Sequence, residues 1–420
     1  MEKLLIHGDR GLRLKGEVRM SGAKNAVLPA IAASLLTGDE VRLSNVPRVR
    51  DVETILTLVA GLGGAYSAAD DRVSLRVAEI RSDEASYELV RAMRASVLVL
   101  GPLVARFGKA VVALPGGCAI GSRPVNLHIA GLQKLGAKIT IEHGYIRAEA
   151  GRLRGAEIEF EKKTVTGTEN LLMAATLAKG ETILRNCARE PEVADLAVLL
   201  NKMGARIDWP DEDTARIHGV EELGGASHEI IPDRIETGTF LVAGALAASE
   251  LVIRRVVPGH VESVIDKLRA SGVAVEPEGE DALRVAGTAE IKPQDITTSP
   301  YPGFPTDMQA QFMVLLTQAA GTSIITETIF DRRFSHVNEL VRLGASIEVQ
   351  GDKAVVKGKT PLSGAEVVAT DLRASAALVL AGLIASGETT VTEIEHLDRG
   401  YERLEDKLRG LGASIERVRS

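Results

Sequence analysis

One short phrase recurs six times along the 420 residues: Gly64-Ala65-Tyr66, Gly136-Ala137-Lys138, Gly204-Ala205-Arg206, Gly272-Val273-Ala274, Gly344-Ala345-Ser346 and Gly412-Ala413-Ser414. Successive phrases stand 72, 68, 68, 72 and 68 positions apart. Self-similarity at a fixed period marks a chain built from repeated supersecondary units. The 72, 68 couplet occurs twice, which implies two halves of three units each. A second landmark precedes every phrase, at Gly38, Gly108, Gly180, Ser249, Gly321 and Gly387. Each ends an Ala/Leu/Val-rich stretch such as Leu28–Leu36, Leu171–Ala178 or Ala376–Ala385. Small apolar residues are good helix formers, and Gly just past the end is the expected stop. A β-branched strand follows, for example Val41–Leu43 or Thr182–Leu184, and then a polar/apolar helix such as Asp51–Leu62 or Glu192–Lys202.

Each unit therefore reads helix, strand, helix, strand, strand. The first helix is apolar nearly all round and is expected to be buried, while the second is amphipathic and covers a sheet. Three units closing on one another give a domain with helices inside and sheets outside. The expected fold is α/β, with two such inside-out domains. One spans 22–231; the other joins 1–21 to 232–420, with an opening strand over Lys3–Val18 crossing over to complete it.

Composition narrows the function. Aromatics are 3 % of the chain and the net charge is −7, so base-stacking platforms and a general nucleic-acid coat are disfavoured. The first twenty residues carry scattered charge with no apolar core of a signal sequence, and no apolar run is long enough to span a bilayer. Two cysteines, Cys118 and Cys187, make neither a disulfide scaffold nor a zinc cage. A cytoplasmic protein without membrane or nucleic-acid partners is expected; the oligomeric state is left open.

The six buried helices begin alike. Fourteen residues before the helix-ending landmarks lie Lys24, Arg94, Thr166, Ile235, Asp307 and Arg373, five of them polar. Capping accounts for Thr166, Thr306 and Asp371. It does not account for Lys24, Arg94 and Arg373, because cations oppose the positive end of the helix dipole. Charges set against a local rule point to ligand residues, here for an anion and phosphate above all. The loop Leu114-Pro-Gly-Gly-Cys118, continuing through Gly121-Ser-Arg123-Pro124 to His128, sets Cys118 among glycines with an arginine nearby, a setting that tunes a thiol. Gly116 and Gly117 are the expected hinges. Cys187 reads as a small buried hydrophobe. Asp307 is a candidate general base. Arg333 and Arg399 occupy, in units five and six, the strand-to-helix loop that Cys118 occupies in unit two. Gly358-Lys359-Thr360 fails as a P-loop because Lys353 stands where Gly is needed, and the eight histidines lack metal-ligand spacing. No metal, nucleotide or redox cofactor is expected.

At this point the chain resembles the enolpyruvyl transferases, and among them those acting on a UDP-sugar. The likeness runs over essentially the whole chain. It is carried by Ser21-Gly-Ala-Lys-Asn25, Met93-Arg-Ala-Ser96, Leu114-Pro-Gly-Gly-Cys118, Gly121-Ser-Arg-Pro124, Phe304-Pro-Thr-Asp-Met-Gln309, Thr370-Asp-Leu-Arg-Ala374 and Asp398-Arg-Gly-Tyr-Glu402. The resemblance implies two inside-out domains with the active site between them. It also implies transfer of the enolpyruvyl group of phosphoenolpyruvate to the 3′-hydroxyl of UDP-N-acetylglucosamine, with release of phosphate, as the first committed step of peptidoglycan synthesis.

Residue by residue, it implies that Lys24, Asn25, Arg123 and Arg399 hold phosphoenolpyruvate and that Arg94 lines the neighbouring cleft. Asp307 takes the proton from the sugar hydroxyl, and Cys118 acts on the enolpyruvyl group. The UDP-sugar rests on Arg123, Pro124, Val125, Asn126 and Leu127, on Lys163, Thr164, Val165 and Thr166, and on Asp307 and Ile329, with Arg333, Asp371 and Arg373 also among the binding residues. Sensitivity to the epoxide fosfomycin is implied as well. Two other readings stand beside this one. The first is 3-phosphoshikimate as acceptor, on the same fold but without the Pro-Gly-Gly-Cys loop. The second is a non-catalytic six-unit ring, which requires a basic stripe and no reactive thiol.

Overall fold

The computed structural model of the chain describes residues 2–114, 125–247 and 250–419. Six helices start where the residue pattern places them. They are Lys24–Ala33, Leu100–Phe107 (entered through the 3-10 turn Arg94–Val99), Val165–Thr176, Arg234–Leu246, Gln309–Thr317 (entered through Thr306–Met308) and Leu372–Ile384. All six marked positions fall on the first or second residue of a helix or its leading 3-10 turn. Of the helix-ending landmarks, Ser249 lies outside the described residues. Burial is on all sides: every residue of Gln309–Thr317 and every residue after the first in Leu372–Ile384 is buried. Such helices can pack only on other apolar surface. Arg234–Leu246, Gln309–Thr317 and Leu372–Ile384 pack on one another in one unit, and in the other Val165–Thr176 packs against both Lys24–Ala33 and Leu100–Phe107.

Around the helices, among the described residues, lie six four-stranded sheets on one plan. A short strand runs parallel to a central strand, which pairs antiparallel with a third that in turn pairs with the fourth. In one sheet Glu157–Glu159 lies parallel to Glu181–Arg185, which is antiparallel to Ala215–His218, with Arg206–Asp208 at the edge. The sheets are outside because the second helix of each unit has only one apolar face. In Arg50–Leu62 that face is Val52, Ile55, Leu56, Val59 and Leu62, with Glu53, Thr54 and Thr57 turned to solvent or partly covered. Backbone geometry repeats with the sequence. The first residue beyond four of the central strands, Asn45, Asn186, Arg255 and Glu393, is left-handed with φ of 56, 56, 59 and 55°. The phrase glycines Gly136, Gly204, Gly272, Gly344 and Gly412 have φ between 88 and 105°, where a β-carbon would be strained. In the first unit the left-handed residue is Gly63, one position before the recurring phrase.

Two compact units result. One holds the described residues of 22–231, and the other holds those of 2–21 and 232–419. Each has its own core, built around residues such as Ile31, Leu103 and Leu172 in the first and Phe240, Phe312 and Leu380 in the second. The opening segment is two strands rather than one. Glu2–Gly8 lies between Gly387–Thr392 and Ile415–Arg419, while Lys15–Arg19 runs parallel to Glu250–Arg254 in a different sheet. Residues 9–14 turn the chain between them, with Asp9 accepting from the Gly11 N–H. A matching exchange closes the other unit, where Ala226–Glu229 runs parallel to Glu40–Ser44.

At the C-terminal ends of the buried helices of the 22–231 unit, Arg106 donates to the carbonyls of Leu35, Thr37, Val77 and Ala78 at 3.1, 2.6, 2.7 and 3.2 Å. Cations belong at that end of a helix. An open hollow of about 690 Å³ lies there, lined by Asp39, Arg106, Arg152 and Leu177 among others, at the end opposite the helix starts.

Candidate functional site

In the 22–231 unit the helix starts gather polar groups that the core would otherwise exclude. Lys24 opens its helix without a side-chain cap and reaches the carboxylate of Asp51, in the first turn of Arg50–Leu62, at 3.1 Å. The two side chains are 12 % and 3 % exposed, so the cation that opposes its own helix dipole is stabilised by a nearly buried carboxylate. Asn25 is half-buried beside it. Arg94 opens the 3-10 turn that leads into Leu100–Phe107, and at the junction the helical ladder is broken. The Val97 carbonyl and the Gly101 N–H stand four residues apart and would bond directly in an α-helix. Instead both bond the carboxamide of Asn170, from the neighbouring helix, at 3.0 and 2.7 Å. A β-carbon on Gly101 would come 2.1 Å from the Asn170 Oδ1, so only glycine admits this insertion.

Those two backbone bonds fix which end of the carboxamide is which. The Asn170 Nδ2 donates its second hydrogen to His128 Nδ1 at 2.9 Å, and His128 Nε2–H then donates to Thr166 Oγ1 at 3.2 Å. His128 is therefore a neutral imidazole of defined tautomer. Its pKa is pushed down to about 4, first by burial and then by the charge of Arg94. Beside Asn170, Glu169 is buried and its Oε1 meets no hydrogen-bond partner among the described residues. Burial, with Glu192 and Glu190 behind it, raises its pKa well above the usual carboxylate range.

The segments expected to take a UDP-sugar flank this network. Val125 is buried and caps the helix Asn126–Lys134, Asn126 is exposed, and Leu127 is half-buried. Thr164, not Thr166, caps Val165–Thr176, its Oγ1 accepting from the Gly167 N–H at 3.2 Å; Thr166 is spent on His128. Val165 is half-buried, and Lys163 reaches Asp213 at 2.8 Å and the Cys187 carbonyl at 3.1 Å. Cys187 is buried and its thiol is pushed up to about 12, chiefly by burial, as an inert core residue should be. Cys118, with Gly116, Gly117, Arg123 and Pro124, lies outside the described residues.

In the other unit three of the expected residues meet directly. Asp307, on the 3-10 turn Thr306–Met308, receives Arg333 at 2.7 Å on Oδ1 and Arg373 at 3.0 and 2.9 Å on Oδ2. Both guanidinium side chains are nearly buried, at 6 % and 4 %, whereas Asp307 is 24 % exposed. Burial works against the charge of Arg373, but Asp307, Tyr401 and Asp233 more than offset it and its pKa stands above the ordinary arginine value. Beneath, the Tyr401 hydroxyl sits 2.9 Å from Thr239 Oγ1 and accepts from Gln311 Nε2 at 3.2 Å. Thr239 donates to the Ile235 carbonyl, so the phenol proton points to Thr239 and its oxygen faces Gln311 and Arg373.

Asp371 caps Leu372–Ile384 through the N–H groups of Arg373 and Ala374, as its residue type leads one to expect. Thr306 is not a cap. Its hydroxyl donates to Glu327 at 2.8 Å and accepts from Arg333 at 2.9 Å, because the turn it opens already bonds through its backbone. Arg399 is half-buried at the end of the 3-10 turn Ile394–Arg399, and Ile329 is exposed in the turn after Thr322–Thr326. Residue patterns gave no sign of Asn170, Glu169, Glu327 or the buried His336, whose pKa is pushed down to about 4, first by burial. Among the described residues no group of three or more His, Cys, Asp or Glu could hold a metal ion, and no helix is long and apolar enough to cross a membrane.

Two pseudo-symmetric sets of buried helices, each starting in a cluster of cations and carboxylates, agree with what sequence comparison finds. Residues 9–408 match the family model of EPSP synthase (3-phosphoshikimate 1-carboxyvinyltransferase), and the chain belongs to this family of enolpyruvyl transferases. Within it the similarity points more narrowly. The chain is 57 % identical over 422 residues to a UDP-N-acetylglucosamine 1-carboxyvinyltransferase of Koribacter versatilis, covering all of this chain and 97 % of that protein. It is 56 % identical to one of Magnetococcus marinus, with all of both proteins covered. Among solved structures, the enolpyruvyl transferase NikO from Streptomyces tendae superposes with a TM-score of 0.89 at 28 % identity, over all of this chain and 99 % of that one. A non-catalytic ring finds no support in these likenesses.

Proposed function

We propose that this enzyme transfers the enolpyruvyl group of phosphoenolpyruvate to the 3′-hydroxyl of UDP-N-acetylglucosamine, releasing phosphate, in the cytoplasmic phase of peptidoglycan synthesis. The observation that carries this reading is the full-length identity of 57 % to a protein named for that transfer. The Asp307 cluster supports it, since an addition of an alcohol needs a carboxylate placed by fixed donors.

The chemistry sets what each group must do. A proton delivered to the methylene carbon of phosphoenolpyruvate makes its central carbon electrophilic. The sugar oxygen adds there as its own proton leaves to a base, giving a tetrahedral ketal. Loss of phosphate, with removal of a methyl proton, restores the double bond. In this reading Asp307 accepts the hydroxyl proton, and Arg333 and Arg373 hold its carboxylate in place. Lys24, Asn25, Arg123 and Arg399 meet the carboxylate and phosphate of phosphoenolpyruvate, where fixed positive charge stabilises the developing anion. Cys118 serves the enolpyruvyl carbon as acid or transient covalent partner. The segments 123–127 and 163–166, with Ile329, receive the UDP-sugar.

The test is direct. Purified protein is given phosphoenolpyruvate with either UDP-N-acetylglucosamine or shikimate 3-phosphate, and inorganic phosphate is followed. Phosphate is expected with the UDP-sugar alone. Release with shikimate 3-phosphate instead assigns the acceptor for which the family model is named, and release with neither overturns both.

A further inference from the structure

Glu327 directly follows the strand Thr322–Thr326, a place where a carboxylate ordinarily reaches water, yet only 4 % of it is exposed. Burying a carboxylate is costly unless donors surround it. Four do. Oε1 accepts from Thr298 Oγ1 at 3.0 Å and from the backbone N–H groups of Ile329 and Phe330 at 2.9 and 3.1 Å. Oε2 accepts from Thr306 Oγ1 at 2.8 Å. Thr306 in turn takes a hydrogen bond from Arg333 at 2.9 Å, and the other arm of that guanidinium holds Asp307 at 2.7 Å.

The direction of these bonds matters. A threonine hydroxyl has one proton. With Glu327 taking it, the Thr306 oxygen is left facing Arg333 as an acceptor. Without so strong an acceptor the proton is free to turn toward Arg333, which has no lone pair to receive it. One carboxylate thus sets two elements at once, the turn that presents Ile329 and the guanidinium that aims Asp307.

We infer that Glu327 is a positioning residue for the sugar substrate, acting through Thr306 and Arg333 on Asp307 and through the backbone on Ile329. The inference rests on the reading of Asp307 and Ile329 as groups that meet the UDP-sugar. Glu327 bonds none of the residues read as holding phosphoenolpyruvate. Its loss is therefore expected to fall on one substrate.

The experiment compares Glu327→Gln, Thr306→Val and the double variant in steady-state phosphate release, with each substrate varied in turn. A carboxamide in place of Glu327 can keep the turn's bonds on its oxygen, but it presents an amino group to Thr306. Thr306→Val leaves the Glu327 turn intact and removes only the relay, so it carries the test should Glu327→Gln not fold. Both single variants are expected to lower kcat/KM for UDP-N-acetylglucosamine by about 10- to 100-fold, the scale of a small misplacement of a reacting group. The KM for phosphoenolpyruvate is expected to stay unchanged. The double variant is expected to be little worse than either single one, because both break one chain. Thr306→Ser, which retains the hydroxyl, is expected to restore the wild-type kcat/KM. An unchanged kcat/KM for the UDP-sugar, a raised KM for phosphoenolpyruvate, or fully additive losses each overturn the assignment. Wild-type protein that releases no phosphate refutes the proposed function itself, before any variant is made.

Discussion

Replacing Asn170 by leucine, close in size but without polar atoms, strips three buried groups of their partner: the Gly101 N–H, the Val97 carbonyl and His128 Nδ1. Leaving a buried donor or acceptor unsatisfied costs about 1–3 kcal/mol each. The helix recovers part of this if Val97 and Gly101 close on one another, as an uninterrupted ladder would. A loss of about 3–6 kcal/mol is therefore expected, large against the total stability of a domain. The chain has one tryptophan, Trp209, and it lies in the 22–231 unit that contains Asn170. Its fluorescence during urea unfolding reports on that unit, and the midpoint shift at constant slope converts to free energy. A shift worth less than about 1 kcal/mol would show that the backbone groups do not depend on the carboxamide, and the account of the broken ladder would be wrong.

Three further outcomes are expected. Asp307→Asn keeps an acceptor for one arginine but cannot take a proton at neutral pH, so phosphate release should fall by at least about 100-fold; activity within a few-fold of wild type would remove Asp307 as the base. His128 is held near 4 in the folded state against about 6.5 when unfolded, so between those values the unfolded chain binds the extra proton. Stability of the 22–231 unit should then fall by up to about 3 kcal/mol as pH drops from 6.5 to 4, with the slope lost in His128→Gln, and a flat wild-type profile would contradict this. Glu169 shifts the opposite way. Its folded carboxyl keeps a proton that the unfolded chain releases above about 4.5, so its contribution is lost as pH rises. Glu169→Gln should unfold at higher urea than wild type at pH 8, and a lower midpoint would show that the carboxyl has an ionic partner.

The periodic parts of the molecule were legible because the helix stops and the six turns are local. A glycine past an Ala/Leu/Val run carries its own physical reason, and all six helix starts followed from counting back from these stops. Capping was legible only where one residue type acts on its own helix. Asp371 fits that description, whereas Thr166 and Thr306 have the right chemistry and spend it on tertiary partners, His128 and Glu327. The opening segment read as one strand because its two halves share a β-rich pattern; which sheets receive them depends on residues more than 200 positions away. Asn170 and Glu169 were invisible for a related reason. Within a buried helix a polar residue looks like a tolerated exception until the groups facing it are known. Lys24, Arg94 and Arg373 stood out because they break the dipole rule. The structure gives carboxylate partners to Lys24 and Arg373, at Asp51 and Asp307.

The strand Glu2–Gly8 occupies an interior position, with Gly387–Thr392 on one side and Ile415–Arg419 on the other. A ribosome makes that strand before either neighbour exists. At about 5–20 residues per second, roughly 20–80 s separate its synthesis from theirs. During that interval a segment bearing Leu4 and Ile6, both fully buried at the end, has no native surface to cover it. This sheet can be assembled only once Ile415–Arg419 has been made, so the stretch that opens it stays uncovered while all the intervening units are synthesised.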